Sequence, residues 1–272
     1  MTIQAPTQEQ IRTAWNTIAD SYDQHVTPHN AELGEYALKH AGLRAGMRFL
    51  DVAAGSGALS IPAARLGADV VATDVAPIMV ERLEDRAKAD GLAIDARVMD
   101  GQALDLDDDT FDVSGSQHGV SLFPDIAGGL SEMVRVTKPG GRVLVVAFGD
   151  FTKVEFIGLF MGALRAAVPG FEPPPLPTQV SDPEVLRDRL SASGLTDVSV
   201  ETITWEQHFE SVTQYWNTII SSNPIARQAL SQATEAQRDD TRRIVEGMFR
   251  ERSSGAPVVT LTAEINIGIG TK

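Results

Sequence analysis

The sequence contains no cysteine. That excludes disulfides, thiolate metal sites and cysteine nucleophiles together. Basic residues are scarce: 23 Lys and Arg stand against 37 Asp and Glu, a formal net charge of -14. Such a surface repels a phosphate backbone and an anionic bilayer, so neither a nucleic-acid partner nor stable membrane insertion is expected. No apolar run is long enough to span a bilayer. The most apolar one, FIGLFMGALRAAV (Phe156 to Val168), is short and carries Arg165. Its Gly158 and Gly162 fit close helix packing better than pairing in a membrane. The N-terminal MTIQAPTQEQ lacks the basic and apolar segments of a signal peptide, so a cytoplasmic location is expected. The acidic LDLDDDTFD (Leu104 to Asp112) lacks the spacing of a calcium loop, and no metal is expected.

What is present is an alternation of strands and helices. A helix from about Thr7 to Tyr22 places Ile11, Trp15, Ile18 and Ala19 on one face, and a second runs from about Ala31 to Ala41. Met47 to Ala53 reads as a buried strand, followed by a helix over Ala58 to Leu66. A strand over Ala68 to Asp74, a helix from Pro77 and a strand over Ile94 to Asp100 follow. FDVSGSQ (Phe111 to Gln117) is a fourth, weaker strand. Ile126, Leu130, Met133 and Val134 make a helical stripe, Pro139-Gly140-Gly141 a turn, and Arg142 to Phe148 a fifth strand. The alternation predicts parallel strands with helices on both faces. Beyond Phe148 come an apolar helix, the proline cluster PGFEPPPLP read as a loop, and a helix capped by Asp182 and closed by Gly194. A strand over Asp197 to Phe209, helices over Ser211 to Arg252 with breaks near Pro224, and a strand over Pro257 to Gly270 complete the chain.

The stretch FLDVAAGSGALS (Phe49 to Ser60) carries the chemistry. Gly55 and Gly57 fit two positions of a dinucleotide loop, but Ser60 replaces the third glycine. A phosphate loop fails outright, because no Gly-Lys-Ser/Thr follows. Asp51 discriminates between ligands. A carboxylate at the loop entrance repels a pyrophosphate and suits a ligand with an ammonium group and no phosphate. Asp74, at the end of the next strand, is placed to take ribose hydroxyls or to cap the helix from Pro77.

The stretch resembles the glycine motif of the class I S-adenosylmethionine (SAM)-dependent methyltransferases. Four further segments match in order: VVATDVAPIMVERL, VMDGQALDL, FDVSGSQHGVSLFPD and MVRVTKPGGRVLVV. Residues Trp15 to Phe148 are covered. Ala19 to Asp23 and the Lys-Pro-Gly-Gly turn resemble the ubiquinone/menaquinone-biosynthesis branch. The YDQHVTPHN segment and the longer C-terminal part depart from it, which secures a small-molecule acceptor better than a quinone. The resemblance implies a Rossmann-like, doubly wound, mostly parallel seven-stranded sheet with N-terminal helices and a helical lid. It implies SAM as cofactor and S-adenosylhomocysteine (SAH) as product. It also implies cofactor contacts from Tyr22, Asp51, Ala53, Gly55, Ser56, Gly57, Asp74, Val75 and Met79, and from Asp100, Gly101, Gln102 and Gln117.

Three parts are expected within one structural domain: a helical cap over 1–46, the SAM-binding core over 47–150, and an acceptor lid with the last strands over 151–272. His118, at the end of the fourth strand, is a candidate base or orienter. His25 and His29, read in a loop, join His208 and Trp216 as acceptor-pocket candidates, with core packing the alternative for the aromatics. The apolar FIGLFMGALRAAV suggests an apolar or aromatic acceptor and in-line methyl transfer. A nicotinamide-dependent oxidoreductase and a non-catalytic SAM-binding protein are the rival readings. Whether the protein is a monomer or a homodimer is not encoded in any motif.

Overall fold

A computed structural model describes residues 7–172, 178–222, 224–231, 233–253, 256 and 258–272. The proline cluster at 173–177 lies outside the described residues.

The first helix, α1 (Gln8–His25), opens with a capping box. Thr7 Oγ1 accepts from the Gln10 amide at 3.2 Å, and Gln10 Oε1 accepts from the Thr7 amide at 2.8 Å. α2 (Thr27–His40) follows almost without a break, starting earlier than the periodicity predicts because Pro28 fits a first helical turn. His25 therefore ends α1 and His29 lies in the first turn of α2; neither is in a loop.

The core then alternates as β1 (Arg48–Val52), α3 (Ser60–Arg65), β2 (Asp69–Asp74), α4 (Pro77–Ala89), β3 (Ile94–Val98), β4 (Phe111–Gln117), α5 (Ile126–Val136) and β5 (Thr137–Phe148). The remaining elements are α6 (Glu155–Ala167), α7 (Pro183–Ala192), β6 (Thr196–Phe209), α8 (Val212–Ser222), α9 (Pro224–Ser231), α10 (Glu235–Ser253) and β7 (Val259–Thr271). Asp182 caps α7 by accepting from the Glu184 amide at 2.8 Å.

The sheet order is β3-β2-β1-β4-β5-β7-β6. β1 to β5 pair in parallel, and β7 runs antiparallel between β5 and β6. Successive residues of β5 feed opposite faces, as the strand period requires. Leu144 and Val146 pack into the layer of α2, α6, α8 and α10, while Val143 and Val145 pack against α5 and α7. β4, the weakest strand by composition, is central. Its serines are fully buried, and Ser114 Oγ accepts from Thr137 Oγ1 at 2.8 Å.

Pro139-Gly140-Gly141 does not terminate the helix–strand connection as a separate turn. It bulges out of β5: Thr137 pairs with Phe111, and pairing resumes at Arg142 with Val113. Gly140, at φ +78, donates its amide to the Lys272 carbonyl, so the excursion is tied to the end of β7. Among the described residues no helix is long and apolar enough to cross a membrane.

The order reverses between β1 and β4. In a doubly wound sheet the crevice at the carboxyl ends of such strands is where a ligand fits.

Candidate cofactor and acceptor site

The loop after β1 is pinned from below. Asp74, ending β2, accepts from the Gly55 amide at 2.8 Å with one carboxylate oxygen and from the Ala76 amide at 2.9 Å with the other. The N-cap of α4 is Ala76, so Asp74 is not its capping residue; it closes a turn one step earlier. Ala53 sits at φ +56, a left-handed conformation costly for alanine, and Gly55 and Gly57 continue at φ +54 and +102. A side chain at Gly57 would press on Ile61 and Leu83.

Asp51 is 1% exposed and accepts from the Ser60 hydroxyl at 2.5 Å. Burial pushes its carboxyl up to about 7, with the Ser60 hydrogen bonds opposing and the nearby Asp74 adding. Burial raises Asp74 as well. A buried carboxylate in this condition is stabilised by a cation, and a phosphate would destabilise it further. Tyr22 stands at the loop, edge-on to Trp15 at 5.9 Å, with its hydroxyl pushed up to about 12 by burial.

Beyond β3, Asp100 Oδ1 accepts from the Gln102 amide at 3.0 Å, and Oδ2 accepts from Gln8 of α1 at 2.6 Å. Gln102 in turn accepts from the Asp125 amide at 2.9 Å. Gly101 has no room for a Cβ, which would fall 2.5 Å from Phe123 and 2.7 Å from Val52. The Phe123 and Val52 side chains pack directly on the Gly101 backbone, which also lines the cavity.

At the end of β4, Gln117 donates to the Asn30 carbonyl at 2.9 Å. His118 takes φ +61 and donates its amide to Val146 at 2.7 Å. Its ring stacks on Phe148 at 4.3 Å, and its Nδ1 has no hydrogen-bond partner. Desolvation lowers its titration to about 4, so the imidazole is neutral near neutral pH.

These residues share one cavity of about 460 Å³. Tyr22, Asp51, Ala53 and Gly55 line it, as do Asp74, Val75 and Met79. Asp100, Gly101, Gln102, Gln117, His118 and His29 complete the expected set on its wall. Five expected residues lie off it. Ser56 is fully buried, and its hydroxyl bonds that of Thr27 at 2.5 Å, tying the loop to α2. Gly57 packs against α3 and α4. His208 is exposed and bonds Thr260 at 3.0 Å. Trp216 packs edge-on against Phe160 beneath Arg242. His25 lies outside the cavity wall at the end of α1.

Sequence reasoning missed several wall residues: Ile11, Ala14 and Trp15 from α1, Phe148 at the end of β5, Phe151 just after it, and Gln207 of β6. The α1 positions had a signal in the helical stripe, although a stripe alone does not separate a cavity face from a core face. The cavity's carboxylates are Asp51, Asp74 and Asp100, and no Lys or Arg lines it among the described residues. No group of His, Asp or Glu among those residues could hold a metal ion.

The glycine loop after β1, the buried acids at the ends of β1 and β2, and Asp100-Gly101 beyond β3 thus share one cavity in a doubly wound fold. The family described as "Methyltransferase domain" matches residues 50–145. An uncharacterised protein of Mycobacterium tuberculosis is 40% identical over 135 residues, 50% of this chain and 48% of that protein. The chain thus spans about half the length of the first curated relatives it matches. The ubiquinone/menaquinone biosynthesis C-methyltransferase UbiE of Bdellovibrio bacteriovorus is 32% identical over 167 residues, 59% of this chain and 71% of that enzyme. The cyclase SpnF has the same fold, with a TM-score of 0.64 at 15% identity over 98% of this chain and 97% of that one. The chain belongs to the class I SAM-dependent methyltransferase family, whose cofactor is SAM.

Proposed function

We propose that this protein transfers a methyl group from SAM to a small, uncharged, apolar or aromatic molecule. One observation carries the reading. The cavity has its three carboxylates on the β1, β2 and post-β3 side, while Phe148, Phe151, Phe156, Ile157 and Met161 wall the other side without a charge. A cation fits the first region, and an apolar body fits the second.

When bound, SAM would supply an activated methyl group, to which the acceptor's electron pair bonds in line while the carbon–sulfur pair leaves on sulfur as SAH. Asp74 would hold the ribose hydroxyls on the lone pairs its amide partners leave free. Asp100 and the Gly101 backbone would flank the adenine. Asp51 would lower the free energy of the cationic tail across the loop. His118 Nδ1, neutral and unpartnered, is the acceptor for the proton that the substrate gives up. Stacking on Phe148 fixes the ring's plane and so the direction of that nitrogen. The segments 1–46 and 151–272 supply the roof and the acceptor wall, and 47–150 the cofactor floor.

The test is calorimetric titration with SAM and SAH, beside Asp74→Ala, followed by mass-spectrometric detection of SAH with apolar phenols and with a small polar amine. Binding lost in the variant, with turnover on phenols, supports the reading. No binding to folded protein refutes it, and turnover confined to the amine refutes the acceptor class. The cyclase on the same fold makes the turnover arm necessary, because fold alone does not fix the reaction.

A further inference from the structure

Three buried side-chain atoms on the cavity wall have no hydrogen-bond partner: Gln117 Oε1, His118 Nδ1 and Gln207 Oε1. Buried polar atoms are normally paired, so each marks a position where a ligand group gains more than it would in water. Gln117 Oε1 lies beside Gly34, whose own surroundings include the Ala58 carbonyl of the glycine loop, and so belongs to the cofactor side. His118 lies at the edge of that loop, its neighbour Gly119 against Ala53, and Gln207 comes from the far edge of the sheet.

Gln207 sits near the end of β6, opposite Leu261 of β7. It shares a strand face with Trp205 and Phe209. Phe209 leans on His29 of α2 at 6.1 Å, so this face turns toward the N-terminal helices and the cavity. Its amide oxygen can only accept a hydrogen bond. His118 Nδ1 accepts in the tautomer that carries its proton on Nε2. Both orphans therefore call for donors on the ligand, in a region without a formal charge.

Their separation sets the ligand's size. β4 and β6 are three positions apart in the sheet, with β5 and β7 between them. At about 4.8 Å per strand the two strands stand roughly 14 Å apart across the sheet, and because Gln117 is level with Val146, Ile267 and Glu201, Gln207 lies roughly 20 Å further along the strand direction. Side chains converging across that span leave a gap longer than one aromatic ring.

Resting on the methyltransferase reading above, we propose that the acceptor is an extended, uncharged molecule of at least two rings with a hydroxyl at each end. One hydroxyl donates to His118 Nδ1 beside the methyl position. The other donates to Gln207 Oε1, which makes Gln207 a specificity-determining residue.

The experiment uses full-length protein saturated with SAH and titrated calorimetrically with three probes: para,para′-dihydroxybiphenyl, para-hydroxybiphenyl and hydroquinone. The biphenyl diol is expected to bind roughly tenfold tighter than the mono-hydroxyl compound, and hydroquinone more weakly than either. Gln207→Met is expected to erase the difference between the two biphenyls while leaving SAH affinity and melting temperature unchanged. Equal binding of the biphenyls to the unmodified protein overturns the proposal without relying on the variant. So does binding of neither, or a preference that survives in Gln207→Met. SAH binding with no diol preference removes only this inference. Failure to bind SAH removes the methyltransferase reading with it.

Discussion

Asp51→Asn is expected to make the ligand-free protein more stable and the ligand-bound one less so. Burial lifts the Asp51 carboxyl from 3.8 to about 7. The unfolded chain ionises near 3.8 and the folded chain only near 7, so this residue's contribution falls as pH rises between those values and is flat on either side. About three units correspond to about 4 kcal/mol of destabilisation above pH 7. Asparagine removes that cost and keeps an oxygen for the Ser60 hydroxyl, but its new N–H groups need acceptors, at about 1–2 kcal/mol. The net expectation is a gain of about 2 kcal/mol at pH 8, or several degrees in melting temperature, shrinking to nothing or a slight loss near pH 4. Thermal melts of both proteins across that range, without and with SAM, read it directly. In the unmodified protein, SAM binding below pH 7 should release close to one proton, visible as a buffer-dependent calorimetric enthalpy. Equal or lower stability of Asp51→Asn at pH 8, with no proton released, would refute the electrostatic argument.

Further outcomes follow from the same geometry. Gly101→Ala places a methyl against Phe123 and Val52, so it should cost about 1–3 kcal/mol in chemical denaturation and raise the SAM dissociation constant. Thr27→Val removes the buried partner of the Ser56 hydroxyl; a loss of about 1–2 kcal/mol is expected, checked by denaturation, with SAM affinity reduced. The kcat/KM profile should fall below pH 7 on the Asp51 limb and show no second limb from His118 until about pH 4, because desolvation keeps that imidazole neutral. A break near 6.5 that persists in Asp51→Asn would contradict the lowered titration of His118.

Much of the fold was legible because its determinants are local. Apolar runs ended by glycine or aspartate, Pro77 and Pro183 inside helix starts, and the glycine loop each act within a few residues. The Asp182 cap and the order of the seven strands followed from such signals. β4 read as weak because Ser-Gly-Ser lowers its hydrophobicity, yet it is buried on both faces, and the serines survive there by hydrogen-bonding within the sheet and its flanks. The Pro-Gly-Gly turn became a bulge because Lys272, more than a hundred residues away, supplies its acceptor. In the site, residues tied to the glycine loop were readable, while the acceptor side was not. Trp216 and His208 look like pocket residues by type, but helix phase and strand face turn them elsewhere. Gln207 has no motif at all; only the three-dimensional accounting of hydrogen bonds exposes it.

The N-terminal helix gives the cavity a roof through Ile11, Ala14 and Trp15. Arg86 fastens its far end, gripping both the carboxylate and the carbonyl of Asp23 at 2.7 Å, and Arg82 holds Asp20 at 2.8 Å. Weakening those clasps is expected to loosen Ile11, Ala14 and Trp15 over the cavity, so Arg82 and Arg86, which do not line it, enter the rate at which a bound molecule exchanges. Loosening the roof at Asp23 would quicken exchange for both occupants of the chamber, while the floor that recognises them stays as it was.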